Sequence, residues 1–145
     1  MKIALVTKGF LSSWGGAERM SVNVARALKK AGHEVDVYAA RVGGEAIDGV
    51  KVIKVEASGF VSALKILSFN ARVRKLLRHK DYDVVLGFTQ VFPLDVYRAS
   101  GGVHEYWMRL QYPNPLFRAL KYVTSLVHLA VVWIERNIAK PGNHR

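Results

Sequence analysis

Two adjacent glycines near the N-terminus, Gly15 and Gly16, have the type and spacing expected of a phosphate-binding loop. They follow an apolar stretch, Lys2–Thr7, and precede an amphipathic segment that ends at Gly32, after which residues 34–40 are again apolar. This order predicts a strand, a helix and a parallel strand, with the glycines at the helix N-terminus. Unpaired N–H groups there favour anions such as phosphates. A tight turn that requires glycine for a positive φ is the alternative.

One histidine is the strongest candidate for catalysis. His104 follows Gly101-Gly102-Val103 at the carboxyl end of the last predicted strand. There it could take a proton from a hydroxyl or stabilise charge at a reacting centre; a histidine hydrogen-bonded within a loop is the alternative. Glu105 is a second candidate, Asp95 is a third that could instead be structural, and Arg98 could bind a phosphate.

Other reactive groups are excluded by composition and spacing. The chain has no cysteine, which rules out disulfides, thiolate metal sites and a cysteine nucleophile. His79, His128 and His144 lack a metal-ligand spacing and have no carboxylate cluster beside them, so we predict no bound metal. The glycine pair is not GxGxxG, which argues against a nicotinamide cofactor.

The elements that must position these groups alternate as β-α-β-β-α-β-β-α, which predicts an α/β fold with a Rossmann-like, doubly wound, mostly parallel sheet. Two neighbouring strands without a full helix between them imply a long loop or a local irregularity near 34–56. Residues 104–114 are predicted to be irregular. The predicted strands cover 2–7, 34–40, 50–56, 83–88 and 94–99, and the predicted helices cover 16–31, 60–79 and 115–139.

The chain of 145 residues is long enough for one α/β domain, and it carries a formal net charge of +11. Residues 58–80 contain six basic side chains and no acid, and residues 109–145 contain six against a single acid. Such an excess favours nucleic acid, anionic lipid or a phosphorylated ligand as partner, and solvated helix faces are the alternative.

The segment from Tyr106 to Lys140 combines aromatic and basic side chains with an apolar face, which favours a position at the surface of an anionic membrane. The alternative is that its helix packs in the core or under a second domain. The apolar run Tyr122–Ile134 is too short to span a bilayer, and the N-terminus does not have the pattern of a signal peptide. The residues expected to contact the membrane are Trp107, Arg109, Arg118 and Lys121.

Several motifs together resemble the opening of the GT-B glycosyltransferases of family 4. These are the first strand, the loop Gly15-Gly16-Ala17-Glu18-Arg19, and Gly32-His33-Glu34-Val35 at the entry to the second strand. The segments Val85–Phe88 and Pro93–Tyr97 are similar, more specifically, to the lipopolysaccharide core glucosyltransferase branch.

The resemblance implies that residues 1–140 are the acceptor-side domain of a two-domain enzyme, that 141–145 begin a linker, and that the donor-binding domain with its paired glutamates is absent. It implies a retaining transfer of a hexose from a nucleotide-sugar to a lipid-linked or phosphorylated glycan such as lipopolysaccharide core. No cofactor or metal is expected, and the isolated half should be inactive. The resulting site prediction is His104 in catalysis, Gly15, Gly16 and Arg19 at the donor, and Arg98 and Glu105 at the acceptor; for Arg19, a surface ion pair on the first helix is the alternative.

The expected location is cytoplasmic, peripheral on the inner face of the cytoplasmic membrane. A non-catalytic membrane-docking subunit that pairs with a separate donor-binding chain is the second hypothesis. A nucleic-acid-binding module is the third; the absence of a nucleic-acid motif, and of aromatic residues interleaved with the basic run at 58–80, argues against it, so no nucleic acid is expected as partner.

Overall fold

The computed structural model describes residues 1–13, 15–44, 47–99 and 102–140. Five strands form one all-parallel sheet in the order β3-β2-β1-β4-β5, with helices on both faces, which confirms the predicted Rossmann-like fold. Trp14, Gly101 and the predicted linker 141–145 lie outside the described residues. The elements are β1 (Lys2–Phe10), α1 (Gly16–Lys30), β2 (Glu34–Val42), β3 (Val50–Lys54), α2 (Ser62–Arg78), β4 (Val84–Gly87), β5 (Val96–Tyr97), α3 (His104–Gln111), α4 (Pro115–Thr124) and α5 (Leu126–Ile138).

The central strand β1 is buried on both faces because its side chains alternate between two cores. Ala4 and Val6 pack into the cluster that contains Phe69 of α2, whereas Leu5 packs into the cluster that contains Val22 of α1. The chain first adds β2 and β3 on one side of β1 and then returns to place β4 and β5 on the other. The strand order therefore reverses between β1 and β4, and open α/β sheets bind ligands at the carboxyl edge of such a point.

The irregularity expected between β2 and β3 is a short return of the chain without a helix. Val50 pairs with Val35, so the connection 43–49 runs back along almost the whole length of β2. At its start, the Leu11 side chain, just after β1, occupies the space of a Cβ on Gly43. A larger residue at position 43 would therefore require the Leu11 side chain to move.

A buried polar network joins β2 to the connection between α2 and β4. Asp36 accepts hydrogen bonds from the Tyr82 hydroxyl and from Lys80 Nζ, the latter at 3.0 Å, and the hydroxyls of Tyr82 and Tyr38 are 2.7 Å apart. Burial alone would raise the pKa of Asp36, but these hydrogen bonds hold it below its usual value. The carboxylate is thus ionised at neutral pH and holds β2 against the connection that follows α2.

Three predictions about the elements are wrong. The strand β1 continues to Phe10, three residues beyond the predicted end, because Gly9 and Phe10 still pair with the extended end of β2. Residues 104–111, predicted to be irregular, form α3, whose first N–H group is capped by a side chain from α5. The single helix predicted over 115–139 is two helices, α4 and α5, bent by 99° at Ser125, which has extended backbone angles.

Candidate functional site

A pocket of about 310 Å³ opens at the carboxyl edge of the sheet, beside the ends of β4 and β5 and against α3 and α5. The chain brings polar groups to it from four separate segments, and aromatic rings of Phe88 and Trp107 complete its wall. Concave sites with a few convergent polar groups are the usual form of small-molecule sites. The polar side chains that line it are Gln90, Tyr97, Arg98, His104, His128 and Glu135.

His104 is held in this pocket by both its backbone and its ring. Its backbone N–H donates to Glu135 Oε2 at 2.8 Å, and its Nε2 lies 2.9 Å from His128 Nδ1. The Trp107 ring stacks on the His104 ring, with centroids 5.6 Å apart and planes at 18°. Burial, and then the neighbouring His128, hold the pKa of His104 below its usual value. The imidazole is therefore neutral at pH 7 and can accept a proton.

Glu135 is a polar group of the pocket for which the sequence predicted no role. It is 8% exposed; Oε2 accepts the His104 N–H, and Oε1 has no hydrogen bond of standard geometry among the described residues, although Gln90 and Tyr97 lie close enough to the carboxylate to lower its pKa. Burial raises the pKa of Glu135, although the His104 N–H, Gln90 and Tyr97 act in the other direction. Burial and the Glu135 charge also raise the pKa of Tyr97 to about 12. A buried oxygen without a partner is an acceptor that a ligand hydroxyl can satisfy.

The two residues predicted at the acceptor have different surroundings. Arg98 lines the pocket with its guanidinium carbon 5.5 Å from the centroid of the Phe88 ring. Glu105 forms ion pairs with Arg109 and Arg136, each at 3.1 Å, and is not among the residues that line the pocket. The hydrogen bond from Arg136 is the main reason why the pKa of Glu105 lies below its usual value. Its position fits the bracing of α3 against α5.

The glycine loop lies at the same edge of the sheet, where β1 leads into α1. Gly15 has a φ of −56° and Gly16 begins α1, so neither needs a left-handed conformation, and the tight-turn alternative does not hold. A Cβ on Gly16 would meet no atom of the described residues within 4 Å. Packing against the described residues therefore does not demand glycine at position 16. Arg19 donates to the Ser12 carbonyl at 3.3 Å.

Of the residues predicted to contact a membrane, Trp107 and Arg109 lie on α3, and Arg118 and Lys121 lie on α4. Trp107 is a wall of the pocket, and Arg109 is paired with Glu105. Arg118 donates to the Tyr112 carbonyl at 3.1 Å, and Lys121 Nζ lies 5.8 Å from the centroid of the Tyr112 ring. No residue of α4 is buried within the described part of the chain, although four of its side chains are large and apolar. These are Leu116, Phe117, Leu120 and Val123, each more than half exposed.

Metal-binding clusters and membrane-spanning helices were considered for the described residues only. Across residues 1–13, 15–44, 47–99 and 102–140, no group of three or more His, Cys, Asp or Glu side chains could hold a metal ion. Over the same residues no single helix has the length and apolar character to cross a membrane; the bent pair α4–α5 has both only when its two helices are taken together.

An all-parallel, doubly wound sheet with a polar pocket at its carboxyl edge defines a Rossmann-like domain, similar to those of the GT-B glycosyltransferase fold. The sequence profile described as Glycosyltransferase Family 4 matches residues 14–134, so the chain belongs to this family. The predicted family resemblance is thus confirmed.

A solved structure similar to the chain is that of WaaG, a glycosyltransferase involved in lipopolysaccharide biosynthesis. The TM-score is 0.77 at 23% sequence identity, over 92% of this chain and 34% of the WaaG chain. This chain therefore spans about a third of the length of that enzyme, and at this identity the likeness concerns the fold. No curated protein sequence matches the chain.

Proposed function

We propose that this chain is the acceptor-side domain of a retaining glycosyltransferase that moves a hexose from a nucleotide-sugar to a lipid-linked glycan such as lipopolysaccharide core. The observation that carries the proposal is the pocket in which neutral His104 and the unpartnered oxygen of Glu135 lie together, at the same edge of the sheet as the glycine loop. Membership of family 4 supports the reaction class. Retention and the hexose rest on the family resemblance.

The pocket provides what a reacting hydroxyl requires. A neighbouring hydroxyl of the acceptor sugar can donate to Glu135 Oε1, which places the reacting hydroxyl of that sugar beside the His104 ring, to which it donates. The oxygen of the reacting hydroxyl then bonds to the anomeric carbon on the face from which the diphosphate departs, which retains the configuration, and its proton passes to His104. The leaving diphosphate carries the electron pair away as negative charge, and the N-terminus of α1 at Gly15 and Gly16 is suited to hold it.

Direct assay of the reaction tests this proposal. The protein that carries this domain is incubated with nucleotide-sugars labelled in the hexose and with truncated lipopolysaccharide cores in vesicles. Label that moves into the glycan is the expected result. Transfer that occurs only when a separate donor-binding chain is added would favour the membrane-docking subunit instead. A folded protein that transfers no hexose to any core under either condition contradicts the proposal.

Replacement of Gly16 by alanine should separate binding from folding. The methyl group fits the structure and removes the conformational freedom of glycine from the unfolded chain, so the free energy of unfolding should stay the same or rise by up to about 1 kcal/mol. The same methyl group occupies the space through which a diphosphate approaches the helix N-terminus. We expect KM for the nucleotide-sugar to rise about tenfold, which a loss of about 1.4 kcal/mol of binding would produce.

The control for this variant is Gly44→Ala, a loop glycine at which a Cβ also meets no described atom within 4 Å. It should leave KM for the donor unchanged. Equal donor KM values for Gly16→Ala and the parent protein would show that the loop does not contact the donor.

We also infer that α4 lies on an anionic membrane surface, which keeps the enzyme near a lipid-linked acceptor. Four exposed apolar side chains on a helix without buried residues, accompanied by Arg118 and Lys121, have the composition of an interfacial helix. A cytoplasmic, peripheral location on the inner face of the membrane follows from this proposal.

Replacement of Leu120 by aspartate should weaken sedimentation with vesicles that contain anionic lipid by tenfold or more. Burial of a leucine side chain contributes about 1.5–3 kcal/mol, and the new carboxylate is repelled by the lipid. Met20→Asp, on the exposed part of α1, is the matched control and should bind like the parent. Identical vesicle binding by Leu120→Asp and the parent would remove α4 from the membrane contact.

A further inference from the structure

A second cavity, of about 340 Å³, opens beside the pocket that contains His104, between the ends of β1 and β2 and the start of α2. Three basic side chains line it, Lys8, Arg41 and Lys65, together with the polar side chains of Thr89 and Gln90. Gln90 lines both cavities, so the two are neighbours at the carboxyl edge of the sheet.

The fold itself places these cations together. Lys8 is on the same sheet face as Ala4 and Val6, whose side chains pack towards α2, but it comes one step beyond the buried run. Its side chain therefore leaves the core beside the first turn of α2, where Lys65 lies. The parallel register pairs Gly9 with Arg41, which brings the end of β2 to the same opening.

The charged side chains that line this cavity are all basic. None of the described residues that line it is acidic, and neither Lys8 nor Lys65 has a carboxylate within 4.0 Å in the described part of the chain. The first turn of α2 contains no acidic residue that would offset the positive end of the helix. Cations that converge in a concave site without an acid create a field that attracts an anion.

We propose that this cavity binds a phosphate group carried by the acceptor glycan, and so fixes the sugar whose hydroxyl reaches His104. This inference rests on the proposed transferase function and specifies the acceptor as a phosphorylated sugar. Lysine and arginine side chains bind phosphate through charge-assisted hydrogen bonds, and Thr89 and Gln90 offer neutral donors beside them. The cavity volume lies within the range of small-ligand sites. The diphosphate of the donor has the same chemistry, and the test separates the two.

Binding is measured on the chain itself by amide chemical shifts, without any transfer reaction, so that a failure here is distinct from a failure of the proposed function. Glucose 6-phosphate, glucose and uridine diphosphate are the probes. We expect glucose 6-phosphate to shift the signals of Lys65, Thr89 and Gln90 in a saturable manner, and glucose at equal concentration to leave them unchanged.

The variants Lys8→Gln and Lys65→Gln should each weaken glucose 6-phosphate binding about five- to tenfold, because each loses one hydrogen bond from a charged donor that is partly screened by water. Lys65→Arg should restore the affinity. Lys30→Gln, on the last turn of α1, is the control with the same loss of charge and should bind like the parent.

Three results would overturn the inference. The first is equal shifts with glucose and glucose 6-phosphate. The second is an equal loss of affinity in Lys30→Gln, which would indicate attraction by net charge alone. The third is displacement of glucose 6-phosphate from these signals by an equal concentration of uridine diphosphate, which would assign the cavity to the donor.

Discussion

Replacement of His104 by alanine is expected to lower kcat about 100-fold or more in the enzyme that carries this domain, while KM for the nucleotide-sugar stays within about twofold. A positioned general base contributes roughly 10²–10⁴ to rate. The His104 ring has the required properties, since it is neutral, lines the pocket and is held by Trp107 and His128. Steady-state kinetics with saturating donor and varied acceptor provide the measurement.

A histidine at the opposite edge of the sheet supplies the control. His33 precedes β2, and its replacement by alanine should leave kcat unchanged. A His104→Ala enzyme that is folded and as fast as the parent would show that the ring does not take part in the reaction.

The pH profile gives a second test of the same residue. Because the pKa of His104 is lowered, mainly by burial and then by His128, the ring gains its proton only at a pH below the usual histidine value. The proton-accepting form is present above that pKa, so kcat/KM should fall on the acid side, with its midpoint below pH 6.5. His128→Phe keeps an aromatic ring but removes the charge, and should move the midpoint upward. A midpoint that does not move in this variant would show that His128 does not influence the pKa of His104.

Replacement of Glu135 is expected to give the second-largest effect. Its replacement by alanine and its replacement by glutamine should have different consequences. In Glu135→Ala the His104 N–H loses its acceptor in a partly buried position, so the free energy of unfolding should fall by about 1–3 kcal/mol. Because α3 and the His104 ring then lose the hydrogen bond that positions them, kcat/KM should fall tenfold or more. Urea denaturation and steady-state kinetics measure the two quantities.

Glu135→Gln should keep the stability and lose the activity. The amide oxygen can still accept the His104 N–H, but the amide NH₂ at the position of Oε1 cannot accept a hydrogen bond from a hydroxyl. We expect a free energy of unfolding at least equal to that of the parent and a kcat/KM about tenfold lower, the loss that one hydrogen bond to a charged group supports. A Glu135→Gln enzyme with full activity would exclude Oε1 as the acceptor of the substrate hydroxyl.

The pKa of Glu135 also determines how the free energy of unfolding changes with pH. Its folded pKa is raised by burial, so the folded state binds more protons than the unfolded state between the two pKa values. Ionisation of Glu135 therefore lowers the stability of the folded protein. This loss is complete once the pH is above the pKa of Glu135 in the folded state. The free energy of unfolding of Glu135→Gln, relative to the parent, should increase from pH 4 to pH 7.

Local sequence patterns predicted the sheet and the first two helices, because each of these elements has its own signal. Near-continuous apolar residues mark β1, and apolar side chains at three- and four-residue spacing mark α1. The parallel arrangement followed from the alternation of strands and helices. The loop at Gly15 and Gly16 was located for the same reason.

The rest of the site depends on contacts that no local pattern contains. The helix α3 is capped by Glu135, which is distant in sequence, so residues 104–111 lacked a start signal of their own. His128 meets His104 only because α4 and α5 are bent at Ser125, and a continuous helix would have placed it elsewhere. One signal for Glu135 was present, since it is the single acid among residues 109–145 and lies in an apolar helix.

The central claim is that the pocket around His104 and Glu135 receives the acceptor glycan. The most direct test is a titration of the chain with deacylated lipopolysaccharide core oligosaccharide, followed through the imidazole signals of His104 and His128 and the side-chain amide signal of Gln90. We expect saturable shifts at all three groups, and an affinity about tenfold weaker in Glu135→Gln. Saturable binding that leaves both imidazole rings unchanged would contradict the claim, because the glycan would then bind away from the proposed reacting group.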